Sequence, residues 1–196
     1  NLYGASKLAS DKIFVAANHL SGADGTRFAV VRYGNVIGSR GSVIPFFHKL
    51  LGEGVDELPI THPDMTRFWI TLRQGVDFVL SCLSQMQGGE TYVPKIPSMK
   101  IVDLANCLAP GVRQKIVGIR PGEKLHEVMV PMDDGRMTLE QVDRFIIQPA
   151  FKWWTNEEYT ANGAKPVKEG FSYSSDNNDD WLDIGGLSRI LNNESG

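Results

Sequence analysis

Cysteine is scarce in this chain: Cys82 and Cys107 are the only two in 196 residues. There is no Cys-x-x-Cys pair and no Cys/His cluster, and His19, His48, His62 and His126 show no ligand-like spacing, so no metal site is expected. The run Asp176–Asp180 lacks the Gly and terminal Glu of a calcium loop and reads as a solvated turn. A basic excess is also missing. The formal net charge of −3 argues against a nucleic-acid partner. No apolar run reaches the roughly 18 residues that a membrane span needs. Thiols in apolar contexts without a secretory leader predict a reducing, cytoplasmic setting. An initiator methionine is absent too. The chain opens on Asn1-Leu2-Tyr3-Gly4-Ala5-Ser6-Lys7, already in a helical pattern, and reads as a piece of a longer protein.

What is present suits a globular protein. Hydrophobic residues make up 42% and charged residues 22%, enough for one medium domain or two small ones. Leu8, Ile13, Phe14 and Ala17 recur at helical spacing and predict a helix over 6–19, stopped by Gly22. Residues 27–33 are short, apolar and β-branched, the pattern of a buried strand. A glycine-flanked loop follows at 34–42, and Pro45 suits the first turn of a helix running to about Leu51. Strands are expected at 58–61, 67–71 and 90–93, with a helix at 72–86 that gathers Val76, Val79, Leu80 and Leu83 on one face. Further on come a helix at 101–108, a strand at 115–119, a helix at 123–129, a strand at 144–147 and a helix at 187–191. Residues 152–183 are irregular, and Trp153 and Trp154 are expected in core or interface packing. Alternating strands and helices predict an α/β fold with at least part of a parallel sheet.

The chemistry-bearing residues begin with Tyr3 and Lys7, four apart on one helix face. A lysine cation beside a phenol favours the phenolate, which makes tyrosine a base usable near neutral pH. Small residues between the pair let a flat ring and a substrate approach closely. Alone, the pair fits equally a helix tyrosine with a solvated lysine. Asn35 suits either a tight turn or an amide contact to a sugar. Arg40 is a loop cation or a solvated arginine. Arg67 and Arg120 could make paired bonds to a diphosphate or surface ion pairs. Glu123 could accept from a ribose hydroxyl or cap a helix. Lys124, His126 and Glu127 read as helix-surface or framework residues.

Tyr3-Gly4-Ala5-Ser6-Lys7 and Val31-Arg32-Tyr33-Gly34-Asn35-Val36-Ile37-Gly38 resemble the active-site helix, strand and loop of extended short-chain dehydrogenases/reductases. Leu58-Pro59-Ile60-Thr61, Met65-Thr66-Arg67-Phe68-Trp69-Ile70-Thr71, Val93-Pro94-Lys95-Ile96-Pro97-Ser98-Met99-Lys100 and Gly118-Ile119-Arg120-Pro121-Gly122-Glu123-Lys124-Leu125-His126-Glu127 follow in order. Together they resemble the nucleotide-sugar 4,6-dehydratases that invert C5, closely over about residues 1–150 and more loosely beyond.

That resemblance implies the C-terminal part of such an enzyme: an incomplete Rossmann-type parallel sheet plus a smaller α/β substrate domain. Residues 1–42 would be the rear of the NAD(P)-binding domain. Residues 43–196 would be mainly the substrate domain, interleaved with returning Rossmann elements near 72–110. It implies NADP as cofactor, UDP-N-acetylglucosamine as substrate and a homo-oligomer at full length. Tyr3 and Lys7 would be catalytic, with Lys7 also holding the nicotinamide ribose. Val36, Ile37, Gly38, Ser39 and Arg40 would line the cofactor, Arg40 near a 2′-phosphate. Asn35, Val43, Arg67, Arg120 and Glu123 would hold the substrate.

The reaction so implied oxidises C4, eliminates water across C5 and C6, returns hydride to C6 and reprotonates C5 from the opposite face. Its product would feed pseudaminic acid synthesis and flagellin glycosylation. In the family, a Gly-rich loop and the acid and base for C5 and C6 lie upstream of the tyrosine, so these 196 residues alone are expected to be inactive. A UDP-sugar 4-epimerase or a C5-retaining 4,6-dehydratase would use the same pair. A non-catalytic sugar-nucleotide-binding module would have no need of an activated phenol.

Overall fold

A computed structural model describes residues 2–194, with the side chains of Tyr3 and of residues 192–194 outside the description. In chain order the elements are α1 (Leu2–Ser21), β1 (Val30–Val31), β2 (Asn35–Val36), α2 (Val43–Gly52), β3 (Glu57–Ile60), β4 (Thr66–Ile70) and α3 (Leu72–Gln85). Then come β5 (Thr91–Pro94), β6 (Ser98–Lys100), α4 (Ile101–Leu108), β7 (Arg113–Ile116), β8 (Val128–Val130), α5 (Met132–Gly135) and β9 (Thr138–Glu140). The chain ends with β10 (Arg144–Ile147), α6 (Glu157–Ala161), β11 (Lys165–Pro166), β12 (Tyr173–Ser174) and α7 (Ile184–Glu194).

The chain divides into two compact units. The first comprises Asn1–Tyr33, Val76–Lys95 and Val128–Tyr173. The second comprises Gly34–Gly75, Ile96–Glu127 and Ser174–Gly196. In the first, five strands run in the order β1-β5-β10-β9-β11. Val30 pairs with Thr91 in parallel, while β10 runs antiparallel to both β5 and β9. In the second, β4 lies between β2, parallel to it, and β6, antiparallel to it. All five β4 residues are buried, as a central strand requires. A separate parallel pair joins β3 to β7. The fold is therefore α/β with mixed sheets.

Local sequence explains the second unit's helices. Ser42 enters α2 in extended conformation, Pro45 falls in its first turn, and Ile44 and Phe47 point inward. Ile101, Leu104 and Ala105 do the same from α4. Their core also takes in Ile37, Leu58, Ile60, Met65, Trp69, Met99 and Leu187.

Three expectations change. The helix expected at 123–129 is absent, and 128–130 is strand β8. Carbonyls there turn outward to partners far along the chain instead of to the fourth residue on, for Leu125 accepts the Thr66 N–H at 3.2 Å. The strand expected at 27–33 shrinks to Val30–Val31, the two residues that find partners across β5. The units also depart from a boundary at residue 42 with returning elements near 72–110. The segments that rejoin the first unit are Val76–Lys95 and Val128–Tyr173, because β9 and β10 extend the sheet beyond β5. No helix among the described residues is long and apolar enough to cross a membrane.

Candidate functional site

The first unit carries Tyr3 and Lys7 on α1. Lys7 is exposed, and the Tyr3 side chain lies outside the description. The helix is pinned one turn beyond Lys7. Buried Asp11 accepts from Arg32 Nε at 2.8 Å and faces its Nη2 at 2.7 Å. Arg32 Nη1 donates to the Met129 carbonyl at 3.0 Å, so one guanidinium ties α1 to β8. Further along α1, Asn18 Oδ1 accepts the Phe28 N–H at 3.2 Å.

The second unit carries the loop expected to line cofactor and sugar. Gly34 opens it under close packing: a Cβ there would sit 2.5 Å from Phe68 Cβ. Asn35 and Val36 form β2 against Trp69 and Ile70 of β4. The Asn35 side-chain amide has no partner among the described residues, and Asn35 is half-buried. Ile37 is buried in the unit's core, and its N–H donates to Ile70 at 2.9 Å, so that side chain faces protein. Gly38 and Arg40 are exposed. Ser39 donates its N–H to Val36 O and accepts the Ser42 N–H, each at 3.1 Å. Ser42 Oγ is a buried polar atom without a partner among the described residues. Val43 packs on the core from α2.

The same unit brings Arg67 of β4 against the segment that carries Arg120 and Glu123. Arg120-Pro121-Gly122-Glu123 is a tight turn, with Glu123 N–H donating to Arg120 O at 3.0 Å. Proline second and a glycine at φ +77° third suit a type II turn. Glu123 Oε2 accepts the Arg120 N–H at 3.2 Å, so the carboxylate braces the turn where a helix cap was one expectation. The Arg120 guanidinium is exposed and has no partner among the described residues.

Arg67, on β4, is buried. Its Nη1 donates to Thr66 O at 2.7 Å and Leu125 O at 3.0 Å, and its Nη2 to Lys124 O at 2.8 Å. Its Nε lies 3.5 Å from Glu127 Oε1. Burial pushes the Arg67 pKa below its usual value, against the opposing pull of Glu127 and Glu123. This differs from the open fork expected of a diphosphate ligand.

Of the two readings of Lys124, His126 and Glu127, the framework one matches their place in a polar hub. Thr66 Oγ1 meets His126 Nδ1 at 2.8 Å and Ser175 Oγ at 2.6 Å. Ser175 N–H donates to Glu127 O at 2.8 Å, and Glu127 N–H donates to Ser175 Oγ at 2.9 Å. Sequence reading did not single out Thr66 or Ser175. They lie 109 positions apart, and no local pattern links them.

A family profile described as polysaccharide biosynthesis protein matches residues 1–149. The UDP-N-acetylglucosamine 4,6-dehydratase (inverting) of Campylobacter jejuni subsp. jejuni serotype O:2 is 55% identical over 201 residues. That alignment covers 100% of this chain and 60% of the relative, so the chain spans about 60% of the relative's length. The X-ray structure of Pen from Bacillus thuringiensis aligns with a TM-score of 0.82 at 30% identity, covering 100% of this chain and 58% of that one. A double mutant of DesIV, a dTDP-glucose 4,6-dehydratase from Streptomyces venezuelae with NAD and DAU bound, aligns with a TM-score of 0.54 at 18% identity. That alignment covers 85% of this chain and 46% of the other, and it shows a shared fold.

Proposed function

The chain belongs to the polysaccharide biosynthesis protein family, and on that premise we propose that it is the catalytic-helix and substrate-holding part of an inverting UDP-N-acetylglucosamine 4,6-dehydratase. One observation carries the reading. An exposed Arg120, whose guanidinium has no partner among the described residues, stands on a turn braced by Glu123, in a chain 55% identical from end to end to such an enzyme. A guanidinium held this way suits paired bonds to diphosphate oxygens.

In this reading Tyr3 takes the C4 hydroxyl proton as C4 becomes a ketone. Lys7 keeps the phenol acidic enough to do so. Asn35 offers its side-chain amide to the sugar, Val43 meets the substrate, and Glu123 accepts from the nucleotide. A nicotinamide cofactor would supply a hydride acceptor at C4 and a donor at C6. The residues fit such a group: Ser42 has a buried hydroxyl without a partner among the described residues, and the loop 36–40 presents exposed Gly38 and Arg40. Val36, Ile37 and Ser39 would meet it through their backbone. Arg40 suits a 2′-phosphate and so favours NADP. We extend the reading to a cytoplasmic, homo-oligomeric full-length enzyme supplying pseudaminic acid for flagellin glycosylation. In this reading the whole enzyme also needs a glycine-rich loop and an acid and base for C5 and C6, so these 196 residues by themselves would be inactive.

The test is turnover of UDP-N-acetylglucosamine by the full-length protein, followed by proton NMR. The expected product is a 4-keto-6-deoxy sugar with C5 inverted. Tyr3→Phe should lower kcat by about 10²–10⁴-fold. A C4 epimer that retains the C6 hydroxyl, a C5-retained product, or full activity in Tyr3→Phe would each overturn the reading.

A further inference from the structure

We propose that Asp11 and Arg32 are positioning residues for the Tyr3–Lys7 pair: their ion pair fixes the first half of α1 and cancels the Asp11 charge one helical turn from Lys7. The proposal rests on the dehydratase reading above, in which Tyr3 is the base. Residues four apart on a helix are neighbours. Lys7 stands four after Tyr3 and four before Asp11, so the spacing sets the three in line along α1. Asp11 is buried. Arg32 brings Nε to its Oδ2 at 2.8 Å and Nη2 to the same oxygen at 2.7 Å. Oδ1 is buried without a partner among the described residues.

Arg32 is itself fixed at the sheet. Its N–H donates to Tyr92 O at 2.9 Å, next to the pairing of β1 with β5. Its Nη1 donates to the Met129 carbonyl of β8 at 3.0 Å and lies 3.5 Å from Asp134 of α5. The charged side chains tied to the pair are therefore Asp134 and, by helical spacing, Lys7. The far half of α1 is held separately. Asn18 Oδ1 accepts the Phe28 N–H at 3.2 Å, and the Phe14 and Phe28 rings stand 6.0 Å apart. Losing the pair should loosen the half that carries Tyr3 and Lys7 and leave the other half in place. The charges matter as well as the tie. A lysine cation favours the Tyr3 phenolate, and an uncancelled anion beside that lysine opposes it. Removing Arg32 leaves a buried anion, and removing the Asp11 charge leaves a buried cation. The two losses push Tyr3 in opposite directions.

The experiment uses the full-length protein, with UDP-N-acetylglucosamine as the substrate. The Tyr3 titration is read as the tyrosinate absorbance of each protein minus that of the same protein carrying Tyr3→Phe. Arg32→Met should raise the Tyr3 pKa by about half a unit or more, and Asp11→Asn should lower it by a similar amount. The double variant Asp11→Asn/Arg32→Met should return the pKa close to the wild-type value. In Arg32→Met and the double variant, kcat should fall about tenfold or more with KM within about threefold, because both lose the tie to β8. Asp11→Asn keeps an oxygen for Arg32, which covers the case in which a lone buried Asp11 prevents Arg32→Met from folding.

An unmoved Tyr3 titration in Asp11→Asn would overturn the proposal, as would shifts of the same sign in Arg32→Met and Asp11→Asn. Full kcat in the double variant would also overturn it, since α1 would then need no tie at Asp11. A wild type that leaves UDP-N-acetylglucosamine unchanged would sink the dehydratase reading. The Tyr3 titration would still report whether the pair governs that phenol.

Discussion

The two units close their cores differently. In the second, Leu58, Ile60, Met99, Leu104 and Leu187 are fully buried, and α2, α4 and α7 all pack onto the same cluster. In the first, the sheet buries Tyr92, Ile146 and Tyr159, yet both long helices leave apolar side chains open. Leu8, Ile13 and Phe14 on α1 are exposed, and so are Val76, Val79, Leu80 and Leu83 on α3. Their buried charges also differ. Glu90 in the first unit is wholly buried and accepts N–H bonds from Gln87 and Gly88 and the Tyr159 hydroxyl. It clamps the loop that follows α3. Arg67 in the second unit fastens the segment bearing the open Arg120. A buried charged residue thus steadies connecting backbone in each unit, and in the second unit it sits behind the exposed Arg120.

Core truncations test that contrast most strongly. Leu104→Ala should cost about 2–5 kcal/mol, since it leaves a cavity in a closed core. Leu80→Ala, on the open face of α3, should stay within about 0.5 kcal/mol. Denaturant unfolding of the two variants measures both. A cost for Leu80→Ala near that of Leu104→Ala would show that the α3 face is covered in solution, and the contrast would fail.

Periodicity made much of this fold legible. The helices at 43–52, 72–85 and 101–108 stand close to where their apolar spacing and Pro45 placed them. The α1 pattern also formed a helix, but its apolar side is open, because periodicity marks a face and says nothing of what covers it. The segment after Arg120 failed as a helix for a different reason. Its pattern was fair, but Arg67, Thr66 and Ser175 offer its backbone better partners, and all three lie more than 45 residues away. Of the proposed site, Tyr3, Lys7, Asn35 and Arg120 could be singled out from residue type and motif. The supporting hub could not, because hydroxyl-to-backbone bonds over such separations leave no mark in sequence. Arg67 was noticed as a cation, but its burial was not readable.

Alkaline pH offers a second, smaller test. Burial pushes the Cys82 thiol up to about 11 from an ordinary 9.0. Burial first, and the Glu90 carboxylate second, also push the Tyr92 and Tyr159 hydroxyls well above their ordinary value. All three belong to the first unit. Each binds its proton more tightly folded than unfolded. Their stabilisation is therefore complete below the unfolded pKa and is lost as pH rises, from about 9 to 11 for the thiol. Tm measured across that range should fall, and Cys82→Ala should flatten the part of the slope near pH 9–11. An unchanged slope in Cys82→Ala would remove the thiol from this account.

The smallest effect belongs to the acid side and to the second unit. Lys115, through a hydrogen bond, and Arg113 lower the Glu57 pKa from 4.5, where the parallel strands β3 and β7 meet. The Ser174 hydroxyl lowers that of Asp176, with His126 adding to it. These carboxylates release their protons more readily folded than unfolded. The stability they add is present above the unfolded pKa and is lost as pH falls through the folded one. The first unit has one such group, Asp143, lowered by Arg144. Exposed pairs contribute little and are screened by salt. Glu57→Gln should therefore leave Tm at pH 7 nearly unchanged and blunt its decline below about pH 4.5 in dilute buffer. Added salt of about 0.5 M should shrink even that difference, since it shortens the reach of exposed charge to a few ångströms. A large loss at pH 7 would mean that Glu57 braces the β3–β7 pair structurally, and the second unit's stability would then depend on an exposed charge as well as on its closed core.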